Sequence, residues 1–401
     1  MRSATLLALL PFALAAPSAP SRRAEPAPIL RPRGVKLVDG KYIVKMKKGF
    51  QASSIESWVD KMIESIEADA DYTYSTGFGG FAASLKDDEL NKLKHDPNVE
   101  YIEQDAYISI AATTQQSNAP WGIARISTQS PGGSTYTYDD SAGEGTCAYV
   151  IDTGIDVDHP DFDGRAKFLK NFAGGSDSDG QGHGTHVAGT IGSTTYGVAK
   201  KTNLFAVKVL GDDGSGTNSA VIAGMDFVSG HAKDENCPNG VVVNMSLGGE
   251  TSDAVNQAAK AIVDAGLFLA VAAGNDGKDA SGSSPASEES ACTVGATTRD
   301  DTLADYSNFG SVVDVLAPGT DILSTWPNGK TNTISGTSMA SPHVAGLAAY
   351  FLGLGQKAEG LCDYIASKAL DGVISSVPSG TVNKLINNGV GGGSNSSSIR
   401  H

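Results

Sequence analysis

The sequence predicts an α/β protein: a mostly parallel central sheet with helices on both faces, preceded by a small α+β domain. Three observations predict it. Beyond Asn118, short all-apolar segments alternate with helical ones, the pattern of strands buried on both faces. Between residues 39 and 106, strand-like segments flank one continuous helical stripe. Between these regions, residues 111–118 turn to Ala, Thr, Gln and Ser, the composition of a boundary.

The chain opens on Arg2 and an apolar run from Leu6 to Leu14, with small residues at Ala13-Leu14-Ala15. This pattern predicts a secretory signal over residues 1–15, too short to span a bilayer, and hence a secreted, extracellular protein. Residues 16–38, rich in Pro, Ala and Arg without periodicity, read as a linker. In the small domain, Tyr42-Ile43-Val44 is strand-like, and Ile55, Trp58, Val59, Met62, Ile63 and Ile66 share one helical face. Gly80 to Leu85 reads as a strand, Asp87 or Asp88 as the cap of a short helix through Lys94, and Val99 to Glu103 as the last strand.

In the larger region, strands are predicted at 148–151, 205–209, 241–245, 268–272 and 312–316. Helices are predicted at 219–228, 254–265 and 339–352. Pro342 is placed in the first turn of the last helix, where its missing N–H costs nothing. Residues 389–401 are Gly/Ser-rich and read as a flexible tail.

The formal net charge of −15 is uneven. Residues 1–110 carry 14 basic and 15 acidic side chains, residues 111–401 carry 16 and 30. An acidic main domain argues against nucleic acid or an anionic membrane as partner. Four cysteines, none in CxxC spacing, suit two disulfides in a secreted chain and leave three pairings open.

Four places can carry chemistry. Ser338 follows small residues at the start of an apolar helix, among unpaired N–H groups at the positive end of its dipole; alone it reads as an N-cap. Asp152 ends the strand AYVID, and alone is a turn residue. His183 sits among small residues in GHGTHVAG, which leave its ring accessible; His186 lacks the spacing and third ligand of a metal site. Asn275 ends AAGN, with an amide able to point at an oxyanion.

Together these motifs resemble the subtilisin-like serine proteases. DTG at 152–154, GHGTHVAG at 182–189, SLGG at 246–249, AAGN at 272–275 and SGTSMASPHVAG at 335–346 occur in that family's order. The likeness is to its proteinase K branch, secreted mainly by fungi, and runs from about Trp121 to Asn387. Residues 39–106 are similar to that family's inhibitory propeptide. The resemblance implies a three-layer subtilisin-like fold over 111–388, and a ferredoxin-like inhibitor domain within a propeptide of 16–110.

By matched position, the resemblance implies Ser338 as nucleophile, His183 as general base and acid, and Asp152 as the residue fixing its imidazole. Asn275 and the Ser338 backbone N–H would form the oxyanion hole. Ser246, Leu247 and Gly248 would pair with substrate main chain, with Gly214, Ser215 and Gly216 opposite and Ala272 and Gly274 walling an S1 pocket for large apolar residues. Asn218 stands where close relatives often carry Tyr on the S4 rim, which removes the ground for an aromatic P4 preference. One structural Ca²⁺ is implied at Asp314 with the carbonyls of Glu289 and Ala291; Val373 replaces the family's second calcium Asp. The implied disulfides are Cys147–Cys237 and Cys292–Cys362. The implied partners are protein and peptide substrates and the chain's own propeptide, bound by a monomer. Asn395-Ser396-Ser397 is a glycosylation sequon in the tail.

Two other readings are weaker. An α/β-hydrolase esterase needs a GxSxG elbow and a His downstream; the sequence here is GTSMA, and only His343 and His401 follow. A catalytically dead binding protein is disfavoured because every implied catalytic position holds the expected residue.

Overall fold

The computed structural model describes residues 25–32, 37–49, 52–107 and 113–390. The signal segment, most of the linker, the 110–111 boundary and Asn395 lie outside the described residues. Two compact units divide the chain, the first ending at Tyr107.

The first unit runs β1 (Ile29–Leu30), β2 (Leu37–Met46), α1 (Ala52–Ile66), β3 (Ala70–Tyr74), β4 (Gly80–Ser84), α2 (Asp87–Lys94) and β5 (Val99–Ala106). Its sheet order is β1-β5-β2-β4-β3, a ferredoxin-like βαββαβ arrangement with β1 added in parallel at one edge. The predicted stripe does the packing: Ile55, Val59 and Ile66 of α1 are buried with Val44, Phe81 and Ile102 of the sheet. The cap of α2 differs from expectation. Lys86 is the N-cap, and Glu89 reaches back to accept its N–H at 2.7 Å, while Asp87 and Asp88 sit in the first turn.

The second unit continues with β6 (Thr113–Ser117), α3 (Trp121–Arg125), β7 (Thr135–Asp139), β8 (Thr146–Asp152), β9 (Ala166–Asn171), α4 (His183–Gly192), β10 (Asn203–Lys208), α5 (Asn218–His231), β11 (Gly240–Met245) and β12 (Gly249–Glu250). It then runs α6 (Asp253–Asp264), β13 (Phe268–Ala272), β14 (Ser283–Ser284), β15 (Cys292–Thr297), β16 (Val315–Pro318), β17 (Ile322–Trp326), β18 (Lys330–Ile334), α7 (Thr337–Gly353), α8 (Leu361–Lys368), β19 (Leu370–Asp371) and β20 (Lys384–Leu385). Its main sheet is ordered β19-β20-β16-β15-β13-β11-β8-β10-β9, and every pairing except β19–β20 is parallel.

Alternation along β8 shows why all-apolar strands are the signal. Ala148 and Val150 face a core shared with α4 and α7, whereas Cys147, Tyr149 and Ile151 face one shared with α5 and α6. Both faces are covered, so no polar face interrupts the strand.

The polar boundary residues also form structure: β6 pairs antiparallel with β7. The strand expected at 312–316 lies later, because Val313 turns back to Gly310 and the ladder with β15 starts at Val315. Of the three disulfide pairings that the cysteine count allows, the structure has Cys147–Cys237 and Cys292–Cys362. They close loops of 90 and 70 residues. On loop-closure entropy each contributes about 4–5 kcal/mol.

Candidate active site

Asp152 ends β8 where the sheet order reverses, with β10 and β9 on one side and β11 and β13 on the other. Such a switch point leaves a crevice at the carboxyl ends of the strands. The Asp152 side chain is fully buried; its Oδ1 accepts the Thr153 N–H at 2.7 Å and lies 2.8 Å from His183 Nδ1. His183 is the first residue of α4. The helix meets the turn after Asp152 backbone to backbone: a Cβ on Gly184 would overlap the Gly154 carbonyl. That close approach brings the ring across Asp152.

Burial opposes a charge on His183, but the charge and hydrogen bond of Asp152, with Asp179 beyond, outweigh it and hold the ring above its ordinary pKa. With its proton on Nδ1 toward Asp152, Nε2 is the free acceptor. His186 has a different role. Its Nε2 donates to the Ile322 and Asn332 carbonyls of the β17–β18 hairpin, and burial pushes its pKa down to about 4.

Ser338 corrects two expectations. Gly336, not Ser338, caps α7, and Pro342 is the sixth residue of the helix rather than part of its first turn. A proline there has no N–H for the carbonyl four residues back, which is that of Ser338. Ser246 supplies the missing donor: its Oγ donates to the Ser338 carbonyl at 2.8 Å. In return Ser338 Oγ donates to the Ser246 carbonyl at 3.1 Å. Asn244 Nδ2 donates to Ser246 Oγ at 2.9 Å, and Ser341 Oγ donates to Asn244 Oδ1 at 2.8 Å. Within α7 every residue except Ser338 is buried. The helix is thus a rigid mount presenting one hydroxyl.

Among the described residues no hydrogen bond joins Ser338 to His183. Ser246 links them indirectly: it clasps Ser338 and lines the same cavity as His183. A turn about χ1 of Ser338 is what would exchange the Ser246 carbonyl for another acceptor; such bonds often tighten only with substrate bound.

Asn275 is held from behind. Its Oδ1 accepts the Thr337 N–H at 2.8 Å and the Thr337 hydroxyl at 2.9 Å, which leaves Nδ2 as the outward end. Gly274, at φ +106°, makes the turn, and a Cβ there would overlap the Asn308 amide. The Ser338 N–H lies on the same helix start and has no partner among the described residues.

Two cavities flank these groups. One, of about 450 Å³, is lined by His183, Ser246 and Leu247 and by the Gly214-Ser215-Gly216 segment, with Asn218 on its wall. The other, of about 270 Å³, is lined by Gly248, Ala272, Gly274, Asn275 and Ser338. The expected Ala/Gly walls of the second also carry charge: Glu250 and the ion pair Asp276–Lys278, 3.3 Å apart, lie on its lining.

The Subtilase family profile matches residues 143–361. The chain belongs to the subtilase family. A second profile, Peptidase inhibitor I9, matches residues 41–111. Proteinase T of Parengyodontium album is 74% identical over 293 residues, spanning 73% of this chain and 99% of its own. The Cuticle-degrading protease of Metarhizium anisopliae is 53% identical over 391 residues, spanning 97% of this chain and 100% of its own. The crystal structure of a cold adapted subtilisin-like serine proteinase matches with TM-score 0.64 at 44% identity, over 68% of this chain and 99% of that one. The protein is a serine endopeptidase of the subtilisin and proteinase K type, a zymogen with an I9 domain.

The subtilase's Asp314 lies away from these cavities. Burial, with Asp363 nearby, pushes its carboxyl up to about 6, and only the Thr293 N–H, donating at 2.8 Å, works against them. Glu289 and Ala291 line the same cavity of about 520 Å³. The neighbouring Cys292 and Cys362 are joined in a disulfide and offer no thiolate. Asn244-Met245-Ser246, a second sequon, is buried on β11 and the turn after it, and closed to modification. No helix among the described residues is long and apolar enough to cross a membrane.

Sequence reasoning missed the supporting residues Thr153, Asp179, Asn244, Thr337 and Ser341. Thr153 stands inside the DTG motif, and Thr337 and Ser341 inside SGTSMASPHVAG, so motif membership is a signal that could have found them. Asn244 and Asp179 carry no signal of their own.

Proposed function

We propose that this subtilase hydrolyses peptide bonds through Asp152, His183 and Ser338. The observation that carries the reading is the 2.8 Å contact of His183 Nδ1 with buried Asp152 at the rim of the cavity whose wall clasps Ser338. A serine hydroxyl is a weak nucleophile near neutral pH and needs a base with a free lone pair. Asp152 keeps the His183 proton on Nδ1, so Nε2 takes the Ser338 proton as Oγ attacks the scissile carbonyl carbon. The oxyanion accepts from Asn275 Nδ2 and the Ser338 N–H. His183 then protonates the leaving amine, and water, activated by the same ring, releases the acyl group.

Ser246, Leu247 and Gly248 on one side and Gly214, Ser215 and Gly216 on the other receive substrate main chain as an added strand, which tolerates many sequences. Ala272 and Gly274 admit a large apolar P1 side chain. The enzyme is secreted and acts as a monomer. Residues 16–110 are its removable inhibitor, cut by the enzyme itself near Ile110–Ala111. A signal over 1–15 is what exports it, and the tail 389–401 carries glycan at Asn395.

The pH–rate profile tests the mechanism. His183 works only as the neutral ring, and its pKa is raised, so kcat/KM rises with pH through a midpoint above the ordinary value of about 6.5. A profile flat from pH 5 to 8 would contradict a His183 base.

One structural Ca²⁺ would be held by Asp314 with the Glu289 and Ala291 carbonyls; a desolvated carboxylate lining one cavity with those residues suits a hard cation. Bound there, the ion would offset the Asp314 charge, outside the chemistry. At a hundredfold excess over Kd the ion stabilises by about 2.7 kcal/mol, roughly 4–5 °C in Tm for a domain of this size. Chelator should lower the Tm of wild type by that amount and leave Asp314→Asn unmoved; equal responses would refute the site.

A further inference from the structure

Asp152 is a thin support for His183. Only its Oδ1 is engaged, by Thr153 N and His183 Nδ1, while Oδ2 is buried without a partner among the described residues. A second buried carboxylate is connected to it through Thr153. Asp179 is 6% exposed, and both of its oxygens are saturated. Oδ1 accepts the Thr153 hydroxyl at 2.8 Å, the Gly182 N–H at 2.7 Å and the Gln181 N–H at 3.1 Å. Oδ2 accepts the Thr185 N–H at 2.8 Å and its hydroxyl at 2.6 Å.

Gly182 and Thr185 bracket His183, so Asp179 holds the start of α4 from both sides. Thr153 makes the other connection. Its Oγ1 donates to Asp179 and accepts the Gly184 N–H at 2.9 Å, while its own N–H donates to Asp152. One side chain therefore joins the turn after Asp152 to the helix that carries His183.

We propose that Asp179 is a positioning residue for the peptidase reaction, fixing His183 over Asp152 through Thr153 and adding a second negative charge that favours the imidazolium. The inference rests on the Asp152–His183–Ser338 reading. The charged and titratable groups around His183 are few. Asp152 and Asp179 both raise its proton affinity against the opposing effect of burial. His186, one turn along α4, is neutral above its pKa of about 4. Lys208, fully buried at the end of β10, donates to the Thr153 carbonyl at 2.6 Å and pairs with Asp212 at 2.9 Å. Its charge is thus met by Asp212, leaving Asp179 as the second anion. During reaction His183 becomes a cation, and a fixed anion near it lowers the energy of that state.

The test uses the secreted chain, with competent sites counted by a fluorophosphonate titrant and kinetics expressed per titrated site. In Asp179→Asn the acid limb of kcat/KM moves to lower pH by roughly half a unit or more, because less negative charge favours the neutral ring. Its kcat falls about tenfold, with KM within about twofold. Thr153→Val, which keeps the Asp179 charge but cuts the link, lowers kcat without moving the limb, and Thr153→Ser restores it. An Asp179→Asn enzyme with fewer titratable sites but a wild-type limb and kcat per site would reduce Asp179 to a folding role and overturn the proposal. Should that variant fail to fold, Thr153→Val matching wild type overturns it instead. Failure of wild type itself to react with the titrant would sink the triad reading, a different outcome.

Discussion

Ser338→Ala abolishes hydrolysis of a chromogenic peptide while the domain stays folded. Removing the nucleophile of such a triad lowers kcat by about 10⁶, a magnitude measured on another member of this family. The fold should tolerate the change. Ser338 is the one residue of α7 that is not buried, and among the described residues the hydroxyl lost makes a single bond, to the Ser246 carbonyl. The carbonyl that Pro342 leaves open is still served by Ser246 Oγ, because alanine keeps the main chain. A net neutral hydrogen bond contributes only about 1 kcal/mol. The same variant tests self-processing: wild type should be collected with an N-terminus near Ala111, and Ser338→Ala with its I9 domain attached. Residual turnover near wild type, or equal processing of both chains in a protease-free host, would contradict this mechanism.

Asn275→Ala lowers kcat by about 10²–10³ and leaves KM nearly unchanged. The oxyanion exists only in the transition state, so a donor aimed at it contributes nothing to binding the ground-state carbonyl. The loss corresponds to about 2.7–4 kcal/mol, again a value measured on a relative in this family. Geometry makes the amide a fixed donor rather than a mobile one. Thr337 holds Oδ1 with two bonds of 2.8 and 2.9 Å, and Gly274 and Asn308 fix the turn beneath it. Asn275→Asp is a useful companion: it keeps the acceptor for Thr337 but puts a carboxylate oxygen where the donor was. Asn275→Asp should melt close to wild type, whereas Asn275→Ala leaves the buried Thr337 donors without their acceptor and should melt lower. A change confined to KM would make Asn275 a substrate-binding residue.

What is legible in the sequence follows from burial. Strands such as 148–151 and 241–245 are visible because they are apolar on both faces, and Asp152 stands out as the polar end of such a strand. The start of α4 is not legible as helix, since GHGTHVAGTIG is rich in glycine, the poorest helix former after proline. Those glycines serve close packing instead, with Gly184 against the Gly154 carbonyl. β6 and β18 are hidden because TTQQS and KTNTI are polar edge strands without alternating apolar residues.

The supporting groups of the site are less legible still. Asp179 lies in SDSDGQG, which reads as a solvated loop; only the fold reveals that this loop closes over its carboxylate. Pro342 resembles a helix-start residue because its consequence, an unserved Ser338 carbonyl, is answered by Ser246, distant in sequence. Five short motifs in family order point to the chemistry, while the groups that hold it lie partly in the same segment, as Asp179 does for the start of α4, and partly far along the chain, as Ser246 does for Ser338.

The most direct measurement is peptide mapping by mass spectrometry after wild type reacts with a fluorophosphonate. One phosphonyl group per folded chain is expected, on the peptide containing Ser338, and it should be lost when His183 is replaced by alanine. A label on another residue, or labelling of Ser338 unaffected by loss of His183, would contradict the assignment of nucleophile and base.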